Sequence, residues 1–258
     1  YALALKNIQF VSTSDNPTGV TLANPSGATP SRTITWQIND GQAENNWSAV
    51  ATSQVNITAV NDKPVLTSTV AAVAFTENSA PVLANNGIVL SDVDSTMLSG
   101  ATVTISSGLD AGDVLSMPTI AGITAVYANG VLSLTGVASV AQYQAALNSV
   151  RFDNASDAVS SVPRNLQWQV TDNGQSISVA KPSFISVIGK NDAPVLNASV
   201  DVQLAPVVAG VQAAAPVGAV GTLVSDLVGG VSDVDGASAL KGISVIGMNR
   251  SHGVGYFS

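Results

Sequence analysis

The chain has no cysteine and a single histidine, His252. Lack of cysteine excludes a disulfide framework, thiolate metal sites and a cysteine nucleophile. One histidine without cysteine does not make a zinc ligand set, and no motif places a nucleophile beside it for a Ser-His-Asp arrangement. Basic residues are also scarce. Nine Lys and Arg stand against 17 Asp and Glu, a formal net charge of −8. Phosphate backbones need clustered Lys and Arg, so nucleic acid is not an expected partner. Anionic membrane surfaces are excluded on the same ground. Charged residues of both signs make up only 10% of the chain, against about 25% in typical domains. Ser, Thr, Asn and Gln must therefore cover the surface, a pattern common in secreted all-β proteins. One uncharged run, 205–224, is interrupted by Pro206 and Pro216 and is rich in Gly and Ala. A spanning helix wants about 20 strongly apolar residues. This run is expected to be strand and loop, with no membrane insertion. No signal peptide is visible at Tyr1, so the chain reads as a fragment from inside a longer protein.

What is present is repetition. Hydrophobic residues are 46% of 258 residues, enough for a folded core. Tyr1, Ala4-Leu5, Ile8 and Phe10 return as Tyr143, Ala146-Leu147, Val150 and Phe152. The run Arg32-Thr33-Ile34-Thr35-Trp36-Gln37-Ile38-Asn39-Asp40-Gly41 returns as Arg164-Asn165-Leu166-Gln167-Trp168-Gln169-Val170-Thr171-Asp172, followed by Asn173-Gly174. Asn61-Asp62-Lys63-Pro64-Val65-Leu66 returns as Asn191-Asp192-Ala193-Pro194-Val195-Leu196. The three blocks keep their order at separations of 142, 132 and 130 positions. A period near 130 divides the chain into the end of one repeat (1–64), a complete repeat (65–194) and the beginning of a related one (195–258).

Within each copy the hydrophobic period is 2. Ile34, Trp36 and Ile38 alternate with polar residues, as do Leu166, Trp168 and Val170. This is the pattern of half-buried antiparallel strands, and it makes both tryptophans core residues. Val103, Ile105, Val131, Leu132 and Leu134 mark further strands. Val55, Ile57 and Val60, and Phe184, Ile185, Val187 and Ile188, read as closing strands. Asn85-Asn86-Gly87, Asn129-Gly130 and Asn173-Gly174 punctuate the runs as turns. One short helix per copy is expected, capped by Ser139 and burying Val140, Tyr143 and Leu147, with Tyr1 and Leu5 as the tail of its counterpart. The fold class is all-β: tandem antiparallel β-sandwiches, each with one short helix.

Two acidic motifs recur at fixed places in the repeat. Asn61-Asp62 and Asn191-Asp192 occupy the boundaries, and Asp92-Val93-Asp94 and Asp233-Val234-Asp235 follow 30 and 41 residues later. The 11-residue surplus matches the Ala, Gly and Pro-rich insertion. Calcium takes six to eight oxygen ligands, more than any short segment supplies. Boundary Asn and Asp together with an Asp-x-Asp from the next loop supply most of them. In an extended Asp-x-Asp both carboxylates point the same way. Pro64 and Pro194 hold the boundary extended. Asp40 and Asp172, after the Trp strands, and Glu77 are further candidate ligands. Asp and Asn are also ordinary turn residues, but a shared Ca2+ site explains the recurrence of both motifs.

These motifs resemble the calcium-binding linkers of cadherin domains. The Trp strand, its Asp-Gly or Asp-Asn-Gly turn and the closing Val60-Asn61-Asp62-Lys63-Pro64-Val65 resemble the cadherin-like repeats of very large bacterial surface adhesins, including type-I-secreted, RTX-like ones. Asp113 to Ser116, Gly130 to Gly136 and Gln142-Tyr143 resemble the same repeats. The resemblance covers nearly all of 1–194 and thins after 195. Departures are clear. Ala59 and Gly189 stand where the cadherin linker has an acid, and Lys63 and Ala193 stand where it has Asn. Fewer ions per boundary are therefore implied.

The resemblance implies a non-enzymatic spacer at the cell surface or secreted, supporting adhesion or biofilm formation, with neighbouring repeats of the same chain as its partners. Two other readings stand beside it. In one the repeat itself binds surface glycans or proteins, with Trp47 in a polar loop or Tyr127 as the exposed aromatic; in the other it is a non-catalytic appendage of a secreted hydrolase. Asp110 and Asp113 are too ordinary a turn pair to imply glycosidase chemistry, and Gly253-Val254-Gly255 lacks the Lys and the strand-loop-helix context of a phosphate loop.

Overall fold

A computed structural model describes residues 8–19, 30–69, 71–197, 199, 204, 222, 224–236, 242–244 and 246–247. The expectations for Tyr1 and Leu5, for most of 205–224, and for His252 lie outside these residues. Two units form, one of Tyr1–Ala155 with Val159–Ile188 and one of Ser156–Ala158 with Gly189–Ser258.

In the first unit, β1 (Ser31–Trp36) and β2 (Ala51–Asn56) form an antiparallel pair. Next come β3 (Val65–Ser68), β4 (Ala72–Thr76), β5 (Val82–Leu83), β6 (Ile88–Ser91), β7 (Met97–Ser107), β8 (Asp113–Ser116), β9 (Thr124–Ala128) and β10 (Val131–Ser139). Helix α1 (Val140–Asn148) leads to β11 (Arg151–Asn154), β12 (Arg164–Asp172) and β13 (Lys181–Ile188). A six-stranded sheet runs in the order β4-β13-β12-β7-β10-β9. Facing it are β5-β11-β8 and the pair β3-β6. All pairings are antiparallel except β4 with β13.

The alternation in β12 becomes burial: Leu166, Trp168 and Val170 are fully covered while their neighbours stay half-open or exposed. Phe75 of β4 meets Phe152 of β11 edge-on across the sandwich, ring centres 5.1 Å apart. Fully burying each such apolar side chain contributes roughly 1.5–3 kcal/mol. The indole N–H of Trp168 donates to Ser183 Oγ at 2.8 Å, so the buried polar atom is satisfied.

Ser139 caps α1 with the reciprocal box, its Oγ accepting from Gln142 N–H and its own N–H donating to Gln142 Oε1. The helix buries Tyr143, Ala146 and Leu147. Its polar side chains do a second job. Asn148 bonds both backbone groups of Ile88, and Gln144 accepts from Leu90 N–H, so the outer edge of β6 is closed. Burial pushes the Tyr143 phenol up to about 12, and its hydroxyl donates to Gly136 O. Gly136 sits in a bulge of β10 at φ 122°, where a Cβ would meet Gly122 O at 2.1 Å. No side chain fits there.

The two tryptophans fare differently. Trp36 reproduces the bonding of Trp168, donating to Ser53 Oγ at 2.6 Å, yet it is only half-buried. Strand β12 is flanked by β7 and β13, whereas β1 pairs only with β2 among the described residues. Among the described residues the core expected around Trp36 is therefore only half-covered.

In the second unit, β14 (Val195–Leu196) pairs with β15 (Val231–Ser232), and a short helix, α2 (Val224–Leu227), lies between them in sequence. The register repeats that of the first unit. Val65 faces Ser91 and Leu66 faces Leu90, as Val195 faces Ser232 and Leu196 faces Val231. The surplus residues therefore fall between the paired strands and leave their alignment unchanged.

Candidate metal centre

Both acidic loops begin one residue after a paired strand. β6 ends at Ser91 and Asp92 follows; β15 ends at Ser232 and Asp233 follows. Each loop then folds as an Asx turn. Asp92 Oδ1 accepts from Asp94 N–H at 3.1 Å and Ser95 N–H at 2.9 Å. Asp233 Oδ1 accepts from Asp235 N–H at 3.0 Å. Because β3 pairs with β6, the boundary just before β3 is carried to this loop. Asp62 N–H donates to Asp94 Oδ2 at 3.1 Å. In the second unit Asp192 N–H donates to Asp235 Oδ2 at 2.7 Å. Asn61 and Asn191 each turn their amide onto the next carbonyl, at 3.0 and 2.8 Å. Two separate units thus build one hydrogen-bond pattern from the same set of one Asn and three Asp.

The first copy of this site is the fuller one. Asp172, fully buried at the end of β12, accepts from Asn61 Nδ2 at 2.8 Å through Oδ2 and from Ser176 N–H at 2.8 Å through Oδ1. Asn61 also donates to Ser176 Oγ at 2.9 Å. A Cβ on Gly174 would lie 2.2 Å from Asn61 Oδ1, so the glycine makes the room in which the linker side chain sits. Asp62, Asp92, Asp94 and Asp172 are thereby joined through backbone and Asn61.

The electrostatics of the Asp92 and Asp94 pair are unfavourable as they stand. Asp92 Oδ2 and Asp94 Oδ1 are buried and have no hydrogen-bond partner. Removal from water, together with the neighbouring Asp94 carboxyl within hydrogen-bonding reach, pushes the Asp92 carboxyl up to about 6. Two like charges with orphaned oxygens suit an oxygen-seeking cation or a shared proton. Among the described residues no group of three or more His, Cys, Asp or Glu side chains converges closely enough to enclose a metal ion. The two orphaned carboxylate oxygens nevertheless suit a hard divalent ion.

The remaining candidates lie apart. Glu77 is buried beyond β4, its N–H donating to Ile188 O at 2.9 Å and its carboxylate accepting from Val159 N–H at 3.4 Å. Asp40 is exposed in the β1–β2 connection, where its carboxylate accepts from Gln42 N–H at 3.0 Å. Lys63 is exposed between Asp62 and the buried Pro64.

Sequence reasoning missed a fourth segment. Asn16 Nδ2 donates to Val93 O at 3.4 Å, which sets the stretch carrying Asp15 against the Asp92–Asp94 loop. The signal was available. Ser14-Asp15-Asn16 corresponds to Ser156-Asp157-Ala158, and both form the same turn, residue 16 or 158 donating to the serine Oγ at 3.2 and 3.1 Å. It also missed the paired serines. Ser48 and Ser178 each bond the strand residue opposite through both N–H and Oγ, at 2.9 and 3.0 Å in both copies.

Elsewhere, Arg164 is fully buried against Asp113 at 2.9 Å and Asp110 at 3.3 Å, an ion-pair group that closes the loop before β12. Tyr127 is half-buried with its hydroxyl on Asp113 O, whereas Trp47 is 61% exposed. A groove lined by Ser107, Gly108, Val162, Pro163, Asn165 and Phe184 holds no ionisable group. No helix among the described residues is long and apolar enough to cross a membrane.

No protein-family model matches the chain, and no curated protein matches it. Solved structures that resemble it are cadherin repeats. A protocadherin gammaB7 EC3-6 cis-dimer is 16% identical at TM-score 0.34, over 66% of this chain and 38% of that one. PcdhgB3 EC1-4 is 16% identical at 0.29, over 69% and 35%. Mouse clustered PcdhgC3 EC1-3 is 16% identical at 0.26, over 62% and 44%. The chain spans less than half the length of each. The all-β sandwich rests on the strands themselves, which dominate the described residues.

Proposed function

We propose that this chain is a run of calcium-stiffened spacer repeats, divided at 64/65 and 194/195, from a large secreted or cell-surface adhesin. The observation that carries the reading is the half-buried Asp92 and Asp94 pair with its two buried, orphaned oxygens, set by hydrogen bonds at the boundary between repeats. Asp62, Asp92, Asp94, Asp172 and Asn61 would hold the ion in the first site, and Asn191, Asp192, Asp233 and Asp235 in the second. A divalent cation there supplies positive charge and several oxygen-directed bonds. It would neutralise like charges that otherwise repel, and so tie the boundary to the loop that follows it. Asp15 of the preceding repeat, held nearby by Asn16, is a further carboxylate for the same ion. Glu77 and Asp40 are left as candidate ligands of other boundaries. A stalk of such repeats has no need of catalysis.

The test is a calcium titration by calorimetry, with small-angle scattering in calcium and in chelator. Heat of binding together with a longer, stiffer particle in calcium is expected. Equal dimensions and no heat in the two conditions would end the reading.

The exposed Trp47 favours a second reading, a module that binds glycans directly. Its counterpart in the next copy is Ile177, so the platform is not part of the repeated design. A glycan array decides between them: binding lost in Trp47→Ala would favour the second.

A further inference from the structure

Asn-Gly steps are chemically labile when the glycine N–H is free and the step is exposed, because that nitrogen can attack the asparagine side chain. The chain has three such steps, and their surroundings differ. At Asn86-Gly87 the glycine N–H donates to Asn85 Oδ1 at 2.9 Å, and its carbonyl accepts from Thr69. At Asn129-Gly130 the asparagine is fixed at φ 50°, and the buried glycine accepts from Ile105 N–H through its carbonyl at 2.8 Å. At Asn173-Gly174 both residues are exposed. The surrounding turn is closed by bonds from Asp172 N–H to Ser176 O and from Gln175 N–H to Asp172 O, which leave the Gly174 N–H and the Asn173 amide unbonded. The Asp-Gly steps at 40 and 235 are also restrained, since Gly41 N–H donates to Asn39 Oδ1 at 2.7 Å and Gly236 N–H to Asp233 O at 3.4 Å.

We propose that Asn173 is a site of spontaneous deamidation that alters the turn holding the linker. Gly174 N attacks Asn173 Cγ, and the new N–C bond closes a five-membered imide. The Cγ–Nδ2 bond breaks and ammonia leaves, carrying the proton from Gly174 N. Water then opens the imide at either carbonyl, giving aspartate or isoaspartate. No electron changes hands, and water is the one co-reactant. Either product places a new carboxylate beside Asp172, whose Oδ2 receives Asn61. Isoaspartate also adds a methylene to the backbone of the turn. Both changes loosen the Asn61 contact, and neither depends on the proposed metal.

The test ages the whole chain in mildly alkaline buffer and maps the three asparagines by peptide mass spectrometry. Acid and isoacid are expected at 173 several-fold faster than at 86 or 129, with the difference vanishing in urea. Equal rates in the folded chain, or a faster site at 86 or 129, would overturn the assignment. Asn173→Asp tests the consequence without waiting for the chemistry. Hydrogen exchange at the Asp62 amide is expected to quicken several-fold, and an unchanged rate would remove the link to the boundary.

Discussion

Asp92 offers a direct reading of the charge problem at the boundary. Its carboxyl is raised from 3.8 to about 6 by removal from water and by Asp94. A rise of two units corresponds to about 3 kcal/mol between the charged and protonated forms. Asp92 is partly open to solvent, and screening reduces the usable part to about 1–2 kcal/mol. The sign follows from linkage. The folded state holds this proton more tightly than the unfolded state, so the charged form destabilises at neutral pH. Without metal, stability should rise as pH falls through 6, with the gain complete near 3.8. Asp110 runs the other way, its carboxyl held below the usual range by the Ser160 N–H first and then by Ala111 N–H and Arg164. Its contribution is present at neutral pH and is lost only below that window, so the two do not overlap.

A cation and a proton should compete for the same oxygens. At about 100 times its dissociation constant, calcium adds about 2.7 kcal/mol, an increment that should shrink as pH falls through 6. Asp92→Asn copies the protonated state. In chelator at pH 7 it should gain about 1–2 kcal/mol, and it should lose most of the calcium increment. Urea denaturation across pH, in calcium and in chelator, measures all of these. If the chelated chain loses stability steadily from neutral pH to pH 4, or if Asn at 92 keeps the full calcium response, the orphaned oxygens are not the cation site.

Three further outcomes follow from other parts of the fold. Arg164→Met strips a fully buried guanidinium from Asp113 and leaves the carboxylate uncompensated, at a cost of about 3–5 kcal/mol in urea denaturation; a loss under 1 kcal/mol would contradict the burial of the pair. Ser183→Ala orphans the buried Trp168 N–H and should cost about 1–3 kcal/mol, whereas Ser53→Ala, under the half-buried Trp36, should stay within about 0.5 kcal/mol; equal losses would mean the two copies are equally packed. Gly174→Ala puts a methyl 2.2 Å from Asn61 Oδ1 and expels that side chain; the loss of its bonds to Asp172 and Ser176, worth about 1 kcal/mol, should raise exchange at the Asp62 amide about fivefold.

Much of the fold was legible because the pleat writes itself into sequence. Leu166, Trp168 and Val170 alternate with polar residues, and the sheet buries them in that order. Ser139 and Gln142 announce the helix start, and the cap forms there. What was not legible depends on neighbours far away in sequence. Trp36 carries the same local pattern as Trp168, but burial of a strand is decided by the sheet around it. The parallel pairing of β4 with β13 joins strands at opposite ends of the repeat and leaves no local mark. At the candidate site the acidic loop and boundary could be read as partners from recurrence. The role of Asn61 as a donor to Asp172, and the nearness of Asp15, could not, because each depends on a turn from another part of the chain.

The boundary is built by strand register rather than by sequence spacing. The two linkers lie 30 and 41 residues from their Asp-Val-Asp loops, yet the hydrogen bond between them recurs at 3.1 and 2.7 Å. What is constant is the pairing just before each loop, Val65 with Ser91 and Val195 with Ser232. Once those strands are aligned, the residue before the first strand and the residue after the second must meet, whatever lies between them. An insertion in that connection is therefore free to vary, while a single-residue slip of either strand would turn every side chain to the other face and part the aspartates. Disrupting the pairing should thus abolish the site even with every acidic residue intact. Leu66→Pro, at a buried pairing position, removes one ladder donor and should cost calcium binding as surely as removing Asp92. Lengthening the exposed 78–80 turn between β4 and β5 by a few Gly and Ser should leave binding nearly unchanged. The reverse result, sensitivity to connection length with tolerance of the broken ladder, would show that spacing and not register holds the boundary together.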